Sequence, residues 1–184
     1  MKTMNTISGL PYLLVGIICI GETTTFGRKR PESALRDRGS YWVITIFIAA
    51  GYYLAFQIKQ ISFGSWALWF GGALTLSGTA FRLWSIRTLG QYFTRTVQVS
   101  SDQKVIEAGP YRYIRHPSYT GAIIAAAGVG LSLRHWLSLA LILIPMTLSL
   151  AYRILVEERA LIEALGKPYK DYMARTKRLI PFLL

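Results

Sequence analysis

The sequence predicts an all-helical integral membrane protein, and its composition, its charge distribution and five long apolar segments support that class. Of its 184 residues, 52% are hydrophobic and only 16% are charged, whereas soluble domains usually carry about a quarter charged residues. An aromatic content of 13% argues against disorder. The net charge of +12 suits either nucleic acid or an anionic membrane surface, and the apolar segments decide for the membrane.

Five segments are long enough, or nearly so, to cross the roughly 30 Å hydrocarbon core of a bilayer, which needs about 20 apolar residues. These predicted spans run from about Met4 to Gly21, Tyr41 to Ile58, Phe63 to Ile86, Pro117 to Leu133 and Trp136 to Val156. The first and fourth are short, so tilting or local thinning of the bilayer has to be allowed for. No small-x-small cleavage pattern follows the first span, which favours a retained helix over a signal peptide.

The positive charges that flank the spans predict the orientation of the chain. Lys and Arg are concentrated in the loop 22–40, in the segment 87–116 and in the tail after the fifth span, whereas the opposite side holds Lys2, Lys59 and Arg134. By the positive-inside rule, the N-terminus lies outside and the C-terminus lies in the cytoplasm. This distribution explains the positive net charge by contact with membrane lipids. A nucleic acid partner is not needed to explain it.

Loop lengths place any function on the cytoplasmic side. Spans two and three, like spans four and five, are joined by a few residues and form tight helical hairpins. About thirty residues separate spans three and four, and a connection of that length without disorder-like composition is usually functional. The tail from Arg175 to Leu184 is basic and then apolar, so we expect it to lie on anionic lipid as a surface anchor.

The densest motif is GPYRYIRHPSYTG, from Gly109 to Gly121. Pro117 suits the first position of a helix, and the preceding His116 is held out of the helical region at the mouth of span four. The helix start offers unpaired N–H groups and a positive dipole end, which suit a carboxylate or a phosphate. The alternative is an interfacial belt of aromatic and Arg side chains at headgroup depth, with His116 as a local cap.

A second candidate segment is AYRILVEERALIEALGKPYKDY, where span five leaves the membrane. Arg153 and Glu157 are four positions apart and share one helix face. An Arg about one turn inside an apolar run is costly unless it is paired or lines a cavity. Two interpretations stay open: a polar pocket faced by Arg153, Glu157 and His116, or an i,i+4 ion pair with a snorkelling arginine. The same two interpretations stay open for Arg82, inside span three, and a snorkelling side chain is favoured there.

Several classes of site are not encoded. The sequence contains no glycine-rich dinucleotide fingerprint after a strand, no Walker loop, no H-E-x-x-H helix and no G-x-S-x-G elbow. With two histidines, one of them on the outer side, a multi-histidine metal site is not expected. The single cysteine, Cys19, excludes an internal disulfide and a cysteine-based zinc site. The sequence therefore predicts no metal.

The two candidate segments, joined by a helical hairpin, resemble the isoprenylcysteine carboxyl methyltransferase family of integral membrane enzymes, to which phospholipid N-methyltransferases are related. RHPSY, the hairpin, the paired glutamates and G-x-x-Y-x-x-Y carry the resemblance, which covers about Leu89 to Leu184. It implies a single membrane domain, 1–184, with three N-terminal helices in 1–88 and a methyltransferase-like catalytic part in 89–184. The implied cofactor is S-adenosylmethionine, bound by cytoplasmic segments between helices three and four and after helix five.

Carried over to this sequence, the resemblance implies a cofactor site made largely from the RHPSY motif and the loop before it. The residues that it implies are Gln98, Gln103, Lys104, Val105, Ile106, Tyr111, His116, Pro117, Ser118, Tyr119 and Glu157. Arg153 corresponds to the family's substrate-side arginine, and a bidentate guanidinium is well suited to orient a carboxylate. An ionised carboxylate needs no general base, so its methylation requires alignment at about 3–3.5 Å in a partly dry site.

The leading hypothesis is therefore a membrane-embedded, S-adenosylmethionine-dependent methyltransferase. Its acceptor would be lipophilic, a small molecule or a prenylated substrate, and most consistent with a prenylcysteine-like carboxylate. Three alternatives stay open. They are a phospholipid N-methyltransferase in which Arg153 holds phosphate, an NADPH-dependent membrane reductase of similar architecture, and a non-enzymatic membrane scaffold.

Overall fold

A computed structural model of the chain describes residues 9–24, 38–93 and 104–180. The regular secondary structure in these ranges is helical. The helices are α1 (Leu10–Thr24), α2 (Arg38–Gln57), α3 (Trp66–Leu89), α4 (Pro117–Ser132), α5 (Trp136–Leu165) and α6 (Lys167–Arg175), with short 3-10 turns at Gly90–Tyr92 and Gly109–Arg112. Within the described ranges the chain forms no strand, only an isolated parallel bridge between Ile114 and Lys177. The predicted all-helical class is confirmed.

Within the described residues, each of the five predicted spans overlaps one of the first five helices, and the start of the first span lies outside them. By length and composition, α5 is apolar enough to cross a membrane, and Thr45–Gln57 of α2 is a shorter apolar stretch. The number of crossings and their orientation therefore stay predictions. One boundary differs: α5 continues nine residues beyond the predicted end of span five at Val156 and carries Glu157 and Glu158 out of the apolar stretch.

Small residues let α3 and α4 pack at very short range. The facing positions are Gly71, Thr75 and Gly78 on α3 and Gly121, Ala125 and Gly128 on α4. A Cβ atom added at Gly128 would come 2.5 Å from the carbonyl oxygen of Gly71, so no side chain fits there without moving backbone. Such close helix contacts are typical of membrane helices, where packing replaces the hydrophobic effect. This contact fixes the first turn of α4 against the second half of α3.

Pro145 marks the place where α2 approaches α5. It lies inside α5 and has no N–H to donate to the carbonyl of Leu141, one turn earlier. Gly51 of α2 lies directly against that carbonyl and against the ring of Pro145, since an added Cβ would come 2.8 Å from Pro145 Cγ. The absence of a side chain at Gly51 therefore allows α2 to pack where the hydrogen-bond ladder of α5 is interrupted.

The two short loops that we expected on one side of the membrane contact each other. The carbonyl oxygen of Arg134, between α4 and α5, accepts hydrogen bonds from the N–H groups of Ser62 and Phe63, which precede α3 (2.9 and 3.0 Å). Arg134 has a φ of 60°, and Nδ1 of His135 accepts from the Leu137 N–H at the start of α5. Because α4 and α5 turn back here, the start of α4 and the end of α5 meet at the opposite end of the helices.

Candidate active site

Tyr119, in the first turn of α4, connects the two chain segments that the sequence singles out. Its hydroxyl donates to Oε2 of Glu157 at 2.8 Å, although the two residues are 38 positions apart. The same hydroxyl oxygen accepts a hydrogen bond from Nε of Arg153 at 2.9 Å. Arg153 and Glu157 lie one turn apart on α5, and both reach Tyr119. The polar-pocket interpretation is therefore supported by contacts across the hairpin.

His116 lies beside this pair at the entrance to α4. Its side chain is 4% exposed, and its ring lies parallel to that of Tyr119 with centroids 5.5 Å apart. Nδ1 lies 3.9 Å from Oε2 of Glu157, and Nε2, 3.4 Å from Oε1 of Glu158, has no hydrogen-bond partner among the described residues. His116 occupies the N-cap position of α4, but its side chain makes no capping hydrogen bond, so this part of the interfacial-belt alternative is not supported.

Pro117 and Ser118 complete the start of α4. Pro117 occupies the first helical turn, as predicted, where its missing N–H costs nothing. Ser118 is buried, and its carbonyl oxygen accepts a hydrogen bond from Nη1 of Arg82 at 3.0 Å. Arg82 therefore joins α3 to the first turn of α4, whereas the sequence favoured a side chain that snorkels towards the headgroups.

Tyr111 lies in the 3-10 turn Gly109–Arg112, at the start of the GPYRYIRHPSYTG motif. It is buried, and its carbonyl oxygen accepts from the hydroxyl of Tyr172 on α6 at 2.7 Å. Burial raises the pKa of Tyr111, and the negative charge of Glu157 adds to the effect, so the phenol stays neutral at physiological pH. The turn is thereby bonded to α6.

The loop before Tyr111 is described only in part. Lys104 is exposed, and Val105 and Ile106 are half-buried. Among the described residues, no hydrogen bond or ion pair joins these three to His116, Tyr119 or Glu157. Gln98 and Gln103 lie outside the described residues. Contact of residues 98–106 with a cofactor therefore stays a prediction.

Sequence reasoning missed the importance of Glu158. This carboxylate is 3% exposed and accepts hydrogen bonds from Nε of Arg115 at 2.8 Å and from Nε and Nη2 of Arg178 at 3.0 and 2.9 Å. A buried charge needs such pairing to offset the loss of hydration. The local sequence signal for this role was the pair of adjacent glutamates. Neighbouring residues of a helix point about 100° apart, so Glu157 and Glu158 must face different partners.

Residues 176–179 of the tail make specific contacts with the start of α4. Thr176 is buried, the N–H groups of Arg115 and His116 donate to the carbonyls of Lys177 and Arg178, and the Thr120 hydroxyl donates to that of Leu179. The backbone of these residues is thus bonded to the start of α4, whereas Lys177 and Arg178 are exposed, so their contact with lipid stays a prediction. Residues 181–184 lie outside the described part.

These groups are suited to a cationic ligand that also carries hydroxyls. S-adenosylmethionine combines a positively charged sulfur, an aromatic base and ribose hydroxyls. Glu157, with 32% of its side chain exposed, offers a carboxylate that can accept hydrogen bonds and attract positive charge. The half-buried ring of Tyr119, which stacks on His116, is an aromatic surface of the kind that attracts cations. Within the described residues, no cluster of three His, Cys, Asp or Glu side chains is placed to hold a metal ion.

Comparison with known proteins gives a consistent family assignment. The family described as "Isoprenylcysteine carboxyl methyltransferase (ICMT) family" matches residues 71–163, half of the chain, from α3 to the end of α5. "Protein-S-isoprenylcysteine O-methyltransferase B" of Arabidopsis thaliana is 29% identical over 120 residues, which cover 64% of this chain and 61% of that protein. "Protein-S-isoprenylcysteine O-methyltransferase" of Saccharomyces cerevisiae is 33% identical over 115 residues, covering 61% and 48%.

A solved structure shares the fold. The eukaryotic intramembrane Ras methyltransferase ICMT superposes with a TM-score of 0.62 at 24% sequence identity, over 80% of this chain and 55% of that one. The chain thus spans about half to three fifths of the length of these relatives. The matched range contains Tyr111, His116, Tyr119, Arg153 and Glu157.

Proposed function

The chain belongs to the isoprenylcysteine carboxyl methyltransferase family, and on that premise we propose that it is a membrane methyltransferase that uses S-adenosylmethionine to methylate the carboxylate of a lipophilic, prenylcysteine-like acceptor. The observation that carries the proposal is the Tyr119 hydroxyl, which links Glu157 to Arg153. A carboxylate suited to a cationic cofactor and a guanidinium suited to an anionic acceptor are thereby held within one hydrogen-bonded group.

Glu157, Tyr119 and His116 form the cofactor side of the proposed site. Glu157 accepts the Tyr119 hydroxyl through Oε2, and this hydrogen bond orients the carboxylate. His116 supports the ring of Tyr119 by parallel stacking and is itself buried. When bound, S-adenosylmethionine supplies a methyl group on a positively charged sulfur that takes the bonding electrons as it leaves. We propose that Tyr111, Pro117, Ser118, Gln98 and Gln103 to Ile106 also contribute to cofactor binding, as the family resemblance implies.

Arg153 forms the acceptor side. Its Nε donates to Tyr119, which fixes the plane of the guanidinium relative to the cofactor side. A planar guanidinium in a fixed orientation can hold a carboxylate with two parallel hydrogen bonds, and this aligns one oxygen for attack. A carboxylate is already ionised at pH 7, so no residue has to remove a proton during transfer. The work of the protein is then alignment and exclusion of water.

The helices support a placement at the membrane surface. α5 is long and apolar enough to cross a bilayer, and Arg153 and Glu157 lie close to the end of its apolar stretch. We propose five crossings, with the N-terminus outside and the C-terminus and active site in the cytoplasm, as the positive charges favour. A soluble cofactor can then enter from the cytoplasm, and a lipophilic acceptor can enter from the bilayer between helices.

Ligand binding separates a methyltransferase from the reductase and scaffold alternatives. Purified protein in detergent is titrated with S-adenosylhomocysteine and, separately, with NADPH. The methyltransferase proposal predicts saturable binding of S-adenosylhomocysteine alone. Saturable binding of NADPH alone would establish the reductase alternative, and binding of neither ligand by folded protein would leave a scaffold.

A further inference from the structure

Glu158 holds together three parts of the chain that lie far apart in sequence. It belongs to α5, Arg115 precedes α4, and Arg178 follows α6. Oε1 of Glu158 accepts from Arg115 and Oε2 accepts from Arg178, so each carboxylate oxygen has its own guanidinium. The side chains of Glu158 and Arg115 are 4% and 8% exposed, whereas that of Arg178 is 48% exposed. Arg178 is thus the solvent-facing member of a largely buried ion cluster.

Residues 176–179, here named the C-terminal strap, run alongside the residues that lead into α4. The N–H groups of Arg115 and His116 donate to the carbonyls of Lys177 and Arg178 at 2.7 and 3.0 Å, and the Lys177 N–H donates to the carbonyl of Tyr113 at 3.3 Å. Beyond them, the Thr120 hydroxyl donates to the carbonyl of Leu179 at 2.7 Å. The backbone that leads into His116 and the side chain of Thr120 beyond it are therefore bonded to the strap.

Arg115 connects the same strap to the end of α6. Its Nη1 donates to the carbonyls of Met173 and Thr176, while its Nε is committed to Glu158. Carbonyls at a helix C-terminus lack partners within the helix, and a guanidinium is a favourable partner for them. Arg115, which immediately precedes His116, is thus bonded to both α6 and the strap.

The position of His116 therefore depends on the strap as well as on α4. Its backbone lies outside the helical region (φ −123°, ψ 56°), and its N–H donates to the carbonyl of Arg178. Its ring lies between Tyr119 and the carboxylate of Glu158, which Arg178 holds in place. The family match ends at residue 163, so the strap and Arg178 lie outside it.

We propose that Arg178 is a positioning residue: by holding Glu158 and docking the C-terminal strap, it fixes His116 and the first turn of α4 in the arrangement that binds the cofactor. Arg178 acts through Glu158 and the backbone of the strap. The inference rests on the proposed function, since it concerns the affinity of the same cofactor site.

The first test compares two variants that each remove one positive charge. Arg178→Gln loses the ion pair, whereas Lys170→Gln removes an exposed charge from α6. Arg178→Gln should raise the dissociation constant for S-adenosylhomocysteine by about 3- to 30-fold, the range expected for a residue coupled to a binding site through a contact network. Lys170→Gln should stay within about twofold of wild type. Arg178→Lys, which can keep part of the ion pair, should recover part of the affinity.

The outcomes separate the two proposals. Wild-type protein that does not bind S-adenosylhomocysteine overturns the proposed function and the positioning role together. Wild-type protein that binds, with unchanged affinity in folded Arg178→Gln, overturns only the positioning role. Should Arg178→Gln fail to fold, hydrogen exchange in the wild-type protein still tests the positioning role. By reciprocity of linkage, saturating S-adenosylhomocysteine must slow hydrogen exchange in residues 176–179 if the strap favours cofactor binding. Identical exchange with and without ligand would overturn the role.

Discussion

The phenolic oxygen of Tyr119 lies 2.8 Å from Oε2 of Glu157 and 2.9 Å from Nε of Arg153. One hydroxyl thus donates to an acid and accepts from a base on the same face of α5. The hairpin of α4 and α5 makes this contact available, because it returns the end of one helix to the start of the other. If the proposed function is correct, the two sides of the site can be disturbed separately.

Replacing Glu157 by Gln should weaken cofactor binding and leave the fold intact. The change keeps the shape of the side chain but removes its charge, so a charge-assisted hydrogen bond worth about 1.5–3 kcal/mol is lost. Titration with S-adenosylhomocysteine measures the loss. Glu163→Gln, an exposed position on the same helix, is the matched control and should bind normally. Wild-type affinity in folded Glu157→Gln would remove this residue from the cofactor site.

Replacing Arg153 by Lys should reduce turnover far more than cofactor affinity. Lysine keeps the charge but cannot present two parallel donors to one carboxylate. The loss should appear in the rate at saturating cofactor, with binding of S-adenosylhomocysteine measured separately. A residue that only reaches towards the headgroups would tolerate the change, since lysine does so equally well. Normal turnover would therefore refute the acceptor-side role.

Replacing Gly128 by Ala should destabilise the protein. The added Cβ meets the backbone of Gly71 and Thr75, so α3 and α4 must separate, at a cost of about 1–3 kcal/mol for overpacking. Gly72→Ala is the control, because nothing lies within 4 Å of a Cβ there. Thermal unfolding in detergent should show a lower midpoint for Gly128→Ala only. Equal midpoints for the two variants would mean that α3 and α4 are not so tightly packed.

The contribution of Tyr172 to folding stability should fall only at high pH, because its phenol ionises more readily in the unfolded chain than in the folded protein. Burial raises the pKa of Tyr172 above the ordinary value of about 10. Because the folded pKa exceeds the unfolded one, the stabilisation is complete below about pH 10 and is lost as the pH rises above that value. Tyr172→Phe, which lacks the donor, should be less stable by about 1 kcal/mol at pH 8. The difference from wild type should shrink above pH 10, and a constant difference from pH 8 to 11 would contradict this assignment.

The positions of the helices followed from apolar segments, but the end of α5 did not. The segment 136–156 is apolar, so counting apolar residues ends the span at Val156. The helix itself continues to Leu165 and stops where Gly166 adopts a φ of 62°, a conformation that favours glycine. A count of apolar residues predicts where the chain leaves the membrane core. It does not predict how far the backbone hydrogen bonds of the helix continue beyond that point.

The contacts among Tyr119, Arg153 and Glu157 follow from local spacing and the hairpin, whereas the contacts of Glu158 depend on long-range docking. Spacing places Arg153 and Glu157 on one face, and the hairpin brings Tyr119 to them. The partners of Glu158 could not be derived in the same way, because Arg115 and Arg178 reach it only after α6 folds back. A basic cluster near a C-terminus is indistinguishable in sequence from a membrane anchor until its pairing is known.

Transfer of a labelled methyl group to a prenylcysteine analogue tests the proposed function most directly. Protein in detergent or lipid is incubated with S-adenosylmethionine carrying a radioactive methyl group and with an N-acetylated, S-farnesylated cysteine. Carboxyl methylation predicts label in the acceptor that mild alkali releases as methanol, because a methyl ester is hydrolysed by base. Alkali-stable label on phospholipid, or no transfer by protein that binds S-adenosylhomocysteine, would contradict it.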